Sequence, residues 1–317
     1  MNRPAAVVHV DVDGLWAVRR CYGIAEQTSF VEDPVWEKGV PQLAEWFQRY
    51  HLPAQFFMVG RDLTHPEKAR QARDLFTAGY EIGNHSTTHH IGLTRCSSAR
   101  IRAEIEITQR LLERNGITRA KGFRSPGYDV DERLLEILRD LGFQYDCSVL
   151  PTPLSPLLRL ADAVLARRWN PRKRQFGQLR FYLAPRGPYI PDARDCVRPV
   201  PRGGVLSPLV ELPVSTVTAA GLPLTASSIL ALGTKRILGE IRQRAELGLP
   251  LVLLLHGIDA VDCSRPIVFG TRSPSAGGFN KSLAEKEDAL LPVLQELTRH
   301  FEVMSTAQLM KGFLETV

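Results

Sequence analysis

Short apolar runs alternate with longer amphipathic stretches along nearly the whole chain. Runs at 6–11, 55–59, 80–83, 121–124, 144–149, 209–214, 251–255 and 301–305 have the length and composition of strands. Between them, 40–50, 66–78, 99–115, 131–141, 235–247 and 283–299 carry apolar residues at helical spacing. In the stretch 99–115, Ile101, Ile105, Leu111 and Leu112 mark one face, with Arg and Glu opposite. Gly142 and Gly248 stand where helices would stop. Repeated β–α units imply an α/β chain with a mainly parallel sheet and helices outside it. Seven or eight such units point to a closed or nearly closed barrel. No GxGxxG follows the first strand, which weakens a dinucleotide-binding reading.

One segment breaks the rhythm. Prolines crowd residues 151–208 ("PTPLSP", "APRGPYIPD", "VRPVPRGG"), with brief helical spacing at Leu157, Leu158, Ala161, Val164 and Leu165. This reads as a Pro/Arg-rich insertion on a single barrel domain of residues 1–317. The net charge of +6 is concentrated there: between Leu157 and Arg202, 11 Arg/Lys face three Asp, so the rest of the chain is slightly acidic. Arg167, Arg168, Arg172, Lys173 and Arg174 are its densest part. Two readings stand side by side: a solvated basic loop, or an amphipathic element touching a lipid surface or a lipid-phosphate substrate. Nucleic-acid binding is not supported, because few aromatics, Trp169, Phe176 and Phe181 among them, interleave with the basic residues.

The remaining bulk features narrow the setting. At 44% hydrophobic and 23% charged, the chain can bury a sizeable core and is not of disordered type. The five cysteines are odd in number and scattered without a CxxC pair, which fits a reducing compartment. The N-terminal "MNRPAAVVHVDVDG" reads as no signal peptide, and no run is long enough to span a bilayer. The expected setting is cytoplasmic, with peripheral contact at the inner membrane face through 157–202. The oligomeric state is open.

The chemically capable residues fall at the C-terminal ends of the expected strands. Asp11 and Asp13 close the first, His85 and His89 follow the third, Arg124 the fourth, Asp146 lies in the fifth and His256 ends "LVLLL". In α/β barrels that edge gathers functional groups, because the loops converge there. His85 and His89, four apart, can meet on one face of a turn, and a carboxylate would complete an open three-ligand metal set. As an isolated pattern HxxxH is weak, and His90 reads as a surface bystander. Strand alternation sends Asp11 and Asp13 to one side, where two carboxylates sit best beside a cation. The plainer reading of Asp13-Gly14 is turn chemistry.

Taken in order, "HVDVDG", "NHSTTH", "FRSPGY" and "LLLHG" resemble the signature motifs of the polysaccharide deacetylase family, also called NodB-homology or carbohydrate esterase family 4. The resemblance spans roughly Val7 to Ser305. It implies a distorted (β/α)7 barrel and metal-dependent removal of an N-acyl group, acetyl or formyl, from an amino sugar. By position it implies that Asp11 is the catalytic base, and that Asp13, His85 and His89 are the metal ligands. Zinc is the expected ion, with nickel, cobalt and manganese also fitting. Arg124 resembles the arginine that pairs with the base, and His256 the general acid. Tyr128 lies where a backbone N–H helps bind the oxyanion, with Gly127 as the competing position. Asp146 matches loosely the acidic partner of the histidine. The spacer in Asp11-Val12-Asp13 departs from the commoner Asp-Asp-Gly. It resembles a branch that includes lipid-linked aminoarabinose deformylases, allantoinase-like enzymes and some cytoplasmic deacetylases.

An allantoinase-like opener of cyclic ureides is therefore the alternative within amide hydrolysis, separable by offering both substrate types. A non-haem iron oxygenase also uses two His and one carboxylate, but has no use for the Arg124 and His256 pair. A barrel kept only for binding would leave its full set of catalytic positions unexplained. The expected partner is an N-acylated sugar, linked through phosphate to a lipid if the basic insertion serves the substrate.

Overall fold

The computed structural model describes residues 3–22, 24, 32–154, 177–200, 208–218, 220–265, 267 and 278–315. Strands β1 (Ala5–Val12), β2 (Ala54–Met58), β3 (Glu81–Asn84), β4 (Gly122–Phe123), β5 (Tyr145–Asp146) and β6 (Val210–Glu211) follow one another in the chain. A hairpin, β7 (Thr216–Val217) and β8 (Leu222–Pro223), precedes β9 (Leu251–His256) and β10 (Glu302–Val303). β9 and β2 flank β1, and the sheet continues through β3, β4 and β5 to β6, every pair parallel, with β10 added to β1 at Ala5 and Ala6. The eight expected strands all lie on this sheet.

Helices α1 (Leu15–Cys21), α2 (Val40–Arg49), α3 (Pro66–Thr77), α4 (Ser98–Arg114) and α5 (Glu132–Asp140) occupy the first half. In the second half come α6 (Ala226–Leu232), α7 (Thr234–Glu246), α8 (Leu283–His300) and α9 (Thr306–Glu315). The sequence pattern located α2 to α5, α7 and α8 but not α1, α6, α9 or the hairpin. Between β6 and β9 no regular ladder forms among the described residues. Instead Leu254 N–H donates to Leu224 C=O at 3.1 Å, and Val252 N–H donates to Ser215 Oγ at 2.8 Å. The sheet is thus curled and drawn together by irregular backbone, the distorted barrel expected from the motifs.

Alternation on β1 sorts the interior from the helix layer. Ala6, Val8, Val10 and Val12 join the main core with Trp36, Leu43, Phe47 and Phe56, under the helices. Val7 faces the other way and packs with Phe57, Tyr145, Cys147 and Val252 inside the curl. His9 and Asp11 share that inward face, both almost wholly buried. Gly83 leaves room for a ring there: a Cβ on it would stand 2.4 Å from Phe57 Cδ1. Apolar packing fills the lower interior, and polar groups take over toward the strand ends.

The expected insertion falls partly outside the described residues, including the amphipathic spacing at 157–165 and the basic run at 167–174. Its described part, 177–200, returns to the barrel through Tyr189, whose N–H donates to Glu211 C=O at 3.0 Å.

Candidate active site

The strand register places the key residues side by side. Asp11 on β1 is paired with His256 on β9 and with Phe57 on β2, and β3 delivers His85 next to Asn84, which pairs Phe123 just before Arg124. Asp13 lies two residues past Asp11, on the same side. The corner behind it is tight. A Cβ on Gly14 would meet Asp33 Oδ2 at 2.8 Å and Asp62 Oδ2 at 2.9 Å, so residue 14 is glycine for room rather than for a left-handed turn. Lys68 Nζ bridges those two buried carboxylates at 2.6 Å each, and Leu15 N–H and Trp16 Nε1–H donate into them. None of Asp33, Asp62 or Lys68 stood out in the sequence, because they come from the segment before α2, the turn after β2 and α3, and their meeting leaves no local signature.

Asp13, His85 and His89 form one cluster of ligand atoms, all within 4.8 Å of one another and all buried. Asp13 Oδ1 stands 3.1 Å from His89 Nε2 and 3.4 Å from His85 Nε2. His85 Nδ1 lies 2.7 Å from Arg124 C=O, an atom that only accepts, so Nδ1 carries a proton and a neutral ring turns its Nε2 lone pair toward the carboxylate. Asp13 Oδ1 has no hydrogen-bond donor of its own. Two facing acceptors in a dry setting fit a cation between them, and two imidazoles plus one carboxylate suit a divalent ion with open positions. Without an ion, burial pushes the Asp13 carboxyl up, but His89 and His85 outweigh it and hold it well below the usual range. Burial pulls the His89 ring down, while Asp13 and then Cys21 push it well above the usual imidazole range.

The loop carrying these histidines is held from α4. Ser86 and His89 have φ of 60° and 48°, a region non-glycine residues seldom adopt. Glu104 accepts from Thr87 N–H (3.1 Å), Thr88 N–H (2.8 Å) and Thr88 Oγ1 (2.8 Å), while Thr87 Oγ1 donates to its carbonyl. Gly60 N–H and Arg61 N–H donate to the carbonyls of Ser86 and Thr87. Glu104 reads in sequence as one more charge on the polar face of a helix, yet it is buried.

Beside the cluster, Arg124 Nε lies 3.2 Å from Asp11 Oδ1, and the arginine is wholly buried. Asp11 Oδ2 stands 3.9 Å from both His85 Nε2 and His256 Nε2, so it borders the cation position and the third histidine together. His256 is partly open to solvent, with 31% of its side chain exposed. Burial lowers its pKa, but Asp259, then Asp11 and Asp13, raise it to about 9.

The two remaining expected residues, Asp146 and Tyr128, have partners elsewhere in the chain. Asp146 is not beside His256. It accepts from Ser148 Oγ at 2.7 Å and is paired in register with Glu211 on β6, whereas the carboxylates at ion-pair distance from the His256 ring are Asp11 and Asp259. Asp259 Oδ2 accepts His256 N–H at 2.7 Å and lies 3.7 Å from Nδ1. Its position three residues after His256 at the start of a short turn is a cue the sequence offered. Tyr128 lies in a turn with Gly127, both at positive φ (60° and 68°), and its N–H donates to Ser125 C=O at 3.1 Å. An oxyanion contact at that N–H would be shared with Ser125. His90 stays outside the cluster.

The fold and the site together define a curled parallel β/α barrel with an Asp–His–His group able to hold a divalent ion at the C-terminal ends of its strands. Residues 30–145 match the family model for polysaccharide deacetylases. Among curated proteins, a peptidoglycan deacetylase of Helicobacter pylori is 24% identical over 209 residues, 65% of this chain and 63% of that protein. Chitin deacetylase 1 of Cryptococcus neoformans is 30% identical over 135 residues, 38% of this chain and 28% of that protein. The matches thus span less than two thirds of either curated relative. Among solved structures, a Mycobacterium smegmatis chain described as a candidate polysaccharide deacetylase superposes with a TM-score of 0.61 at 17% identity, covering 98% of this chain and 90% of that one. Over residues 30–145 the chain is thus similar to the polysaccharide deacetylase family that its motifs resemble.

Proposed function

We propose that the chain is a divalent-metal-dependent hydrolase that removes an N-acyl group, acetyl in the first instance, from an amino sugar. One observation carries this reading: the ligand atoms of Asp13, His85 and His89 converge next to an Asp11–Arg124 pair that His256 also borders. The deacetylases among its relatives support it.

A bound divalent ion supplies Lewis acidity, polarising the acyl carbonyl and acidifying a water. Asp13 Oδ1, His85 Nε2 and His89 Nε2 would hold it, and zinc suits that donor set, with cobalt, nickel and manganese as alternatives. Arg124 fixes Asp11 by its Oδ1, leaving Oδ2 toward the reacting atoms to take a proton from the attacking water. His256, cationic at neutral pH, gives its proton to the departing nitrogen, which leaves as an amine while the acyl group becomes a carboxylate. The Tyr128 N–H, which donates to Ser125 C=O, is the backbone donor we assign to the oxyanion.

The test is release of acetate and free amine from N-acetylglucosamine oligomers. Chelator-stripped protein should be inactive, zinc or cobalt should restore it, and His85→Ala should lower turnover by about 100-fold or more. Full activity in the stripped protein, or no amine release from any N-acyl amino sugar with metal present, refutes the reading. The formyl group and the cyclic ureide are offered in the same assay.

For the substrate we extend the proposal to a sugar linked through phosphate to a lipid at the cytoplasmic face of a membrane. The basic surplus between Leu157 and Arg202 supports it, as do the exposed Leu179, Tyr182 and Leu183 within that segment. All five cysteines are thiols, in keeping with a reducing compartment. Neutralising Arg167–Arg174 should slow turnover of the lipid-linked substrate and spare the soluble one. Equal losses on both would end this extension.

A further inference from the structure

We propose that His9 is a positioning residue, a neutral acceptor that holds the Arg124 guanidinium against Asp11 and ties it to the start of α9. The inference concerns how the site is aimed, and its kinetic consequence rests on the hydrolase reading above.

The Arg124 guanidinium is wholly buried. Its Cζ lies 4.7 Å from the centre of the Phe57 ring, and its Nε approaches Asp11 Oδ1 at 3.2 Å. Neither Nε nor Nη1 has an aligned hydrogen-bond partner among the described residues. The remaining arm, Nη2, donates to His9 Nδ1 at 2.6 Å. Among the described residues that bond is the one aligned side-chain contact fixing how the guanidinium is rotated about its stem. Phe57 supports both partners, since its ring also meets the His9 ring edge-on at 5.3 Å.

The tautomer follows from the bond. Because Nδ1 accepts, the ring proton sits on Nε2, which donates to Thr306 Oγ1 at 3.0 Å. Thr306 opens α9, and the N–H groups of Thr306 and Ala307 donate to Glu81 Oε2 and Oε1 at 2.8 and 3.0 Å. A continuous polar path therefore runs from Glu81 through the first turn of α9 to His9, Arg124 and Asp11. Burial, and then the Arg124 charge, hold His9 well below the usual imidazole range, so it stays uncharged.

Neutrality is the property a histidine supplies here. A carboxylate at residue 9 would satisfy the guanidinium too, but with a full charge competing against Asp11. An apolar residue would leave a buried N–H unpaired and free the arginine to turn. An unprotonated imidazole accepts one hydrogen bond and leaves the cation's charge for Asp11.

Three substitutions separate this role from simple packing. In His9→Asn the amide oxygen stands near the Nδ1 position and keeps an acceptor for Arg124. In His9→Gln the amide reaches the Nε2 position and keeps only the Thr306 side, and His9→Leu keeps neither. With the cobalt-loaded protein, His9→Gln and His9→Leu should lose about 10- to 100-fold in kcat with little change in KM, and His9→Asn should recover most of it. Cobalt affinity should be unchanged in all three, since His9 touches none of the ligands. Wild-type kcat in His9→Leu, or His9→Asn as impaired as His9→Leu, overturns the proposal. Crystal structures of the same variants read the positioning itself without turnover. Arg124 should keep its Asp11 contact in His9→Asn and leave it in His9→Leu. An unmoved guanidinium in His9→Leu would overturn the assignment even if the wild-type protein hydrolysed no amide, the outcome that would sink the hydrolase reading instead.

Discussion

At the scale of single residues, His256 sets the expected response to pH. Its proton is held by Asp259, Asp11 and Asp13 against the cost of burial, giving a pKa of about 9. A group that must be protonated to act loses activity as pH rises through its pKa, and a cation on Asp13 offsets part of the upward shift, so the alkaline limb of the rate profile should fall at or below pH 9. Asp259→Asn removes the nearest source of the upward shift, and the limb should move to lower pH with the acid limb unchanged. A pH–rate profile of both proteins checks this; coincident alkaline limbs would show that Asp259 does not tune His256. The residues that touch the site were legible because their chemistry demands particular side chains, and Asp13, His85 and His89 do meet. The residues that orient them were not. Placing Asp146 away from His256, or noticing His9, requires knowing which strands are neighbours and which rotamers the interior allows, whereas Asp259 was within reach as a local neighbour of His256.

At the scale of elements, the segment from His85 to His89 shows how a helix can shape a loop it does not contain. Two residues at positive φ cost roughly 1–3 kcal/mol each. Glu104 on α4 offsets that by accepting two backbone N–H groups and a hydroxyl. Glu104→Ala should therefore loosen the ligands without touching them, lowering zinc or cobalt affinity by about 10- to 100-fold. Isothermal titration would measure it, and unchanged affinity would assign Glu104 to stability alone. The longer helices and all eight sheet strands could be placed from hydrophobic period, because each presents one apolar face to the core. Helices α1 and α6 escaped notice because seven residues span barely two turns, too few for a period to emerge. Helix α9, ten residues long, is fixed partly by Glu81 capping its first turn from another strand.

At the scale of the whole molecule, the seam between β6 and β9 is where the curl depends on side chains. Ser215 Oγ accepts the Val252 N–H in place of a ladder bond, and both residues are buried. Ser215→Ala leaves that donor unpaired, and should lower unfolding free energy by about 1–3 kcal/mol. Urea denaturation of wild type and variant checks it, with metal affinity expected to stay the same; a loss below the measurement error would mean the seam closes without the serine. A closed or nearly closed barrel was foreseeable from the count of β–α units. The irregular seam was not, since the segment that makes it has no strand-like period.

The central place of β1 also constrains how such a chain can come together. Its first residues pair with Glu302 and Val303, and its whole inner edge waits for Leu251–His256. A ribosome delivers this strand long before those neighbours exist, so both carboxylates of the site emerge early into a sheet that lacks one flank. Contacts so remote in sequence make slow assembly the rule, and leave an open hydrogen-bonding edge exposed throughout synthesis. Until the last strands arrive, the growing polypeptide is a natural client for chaperones.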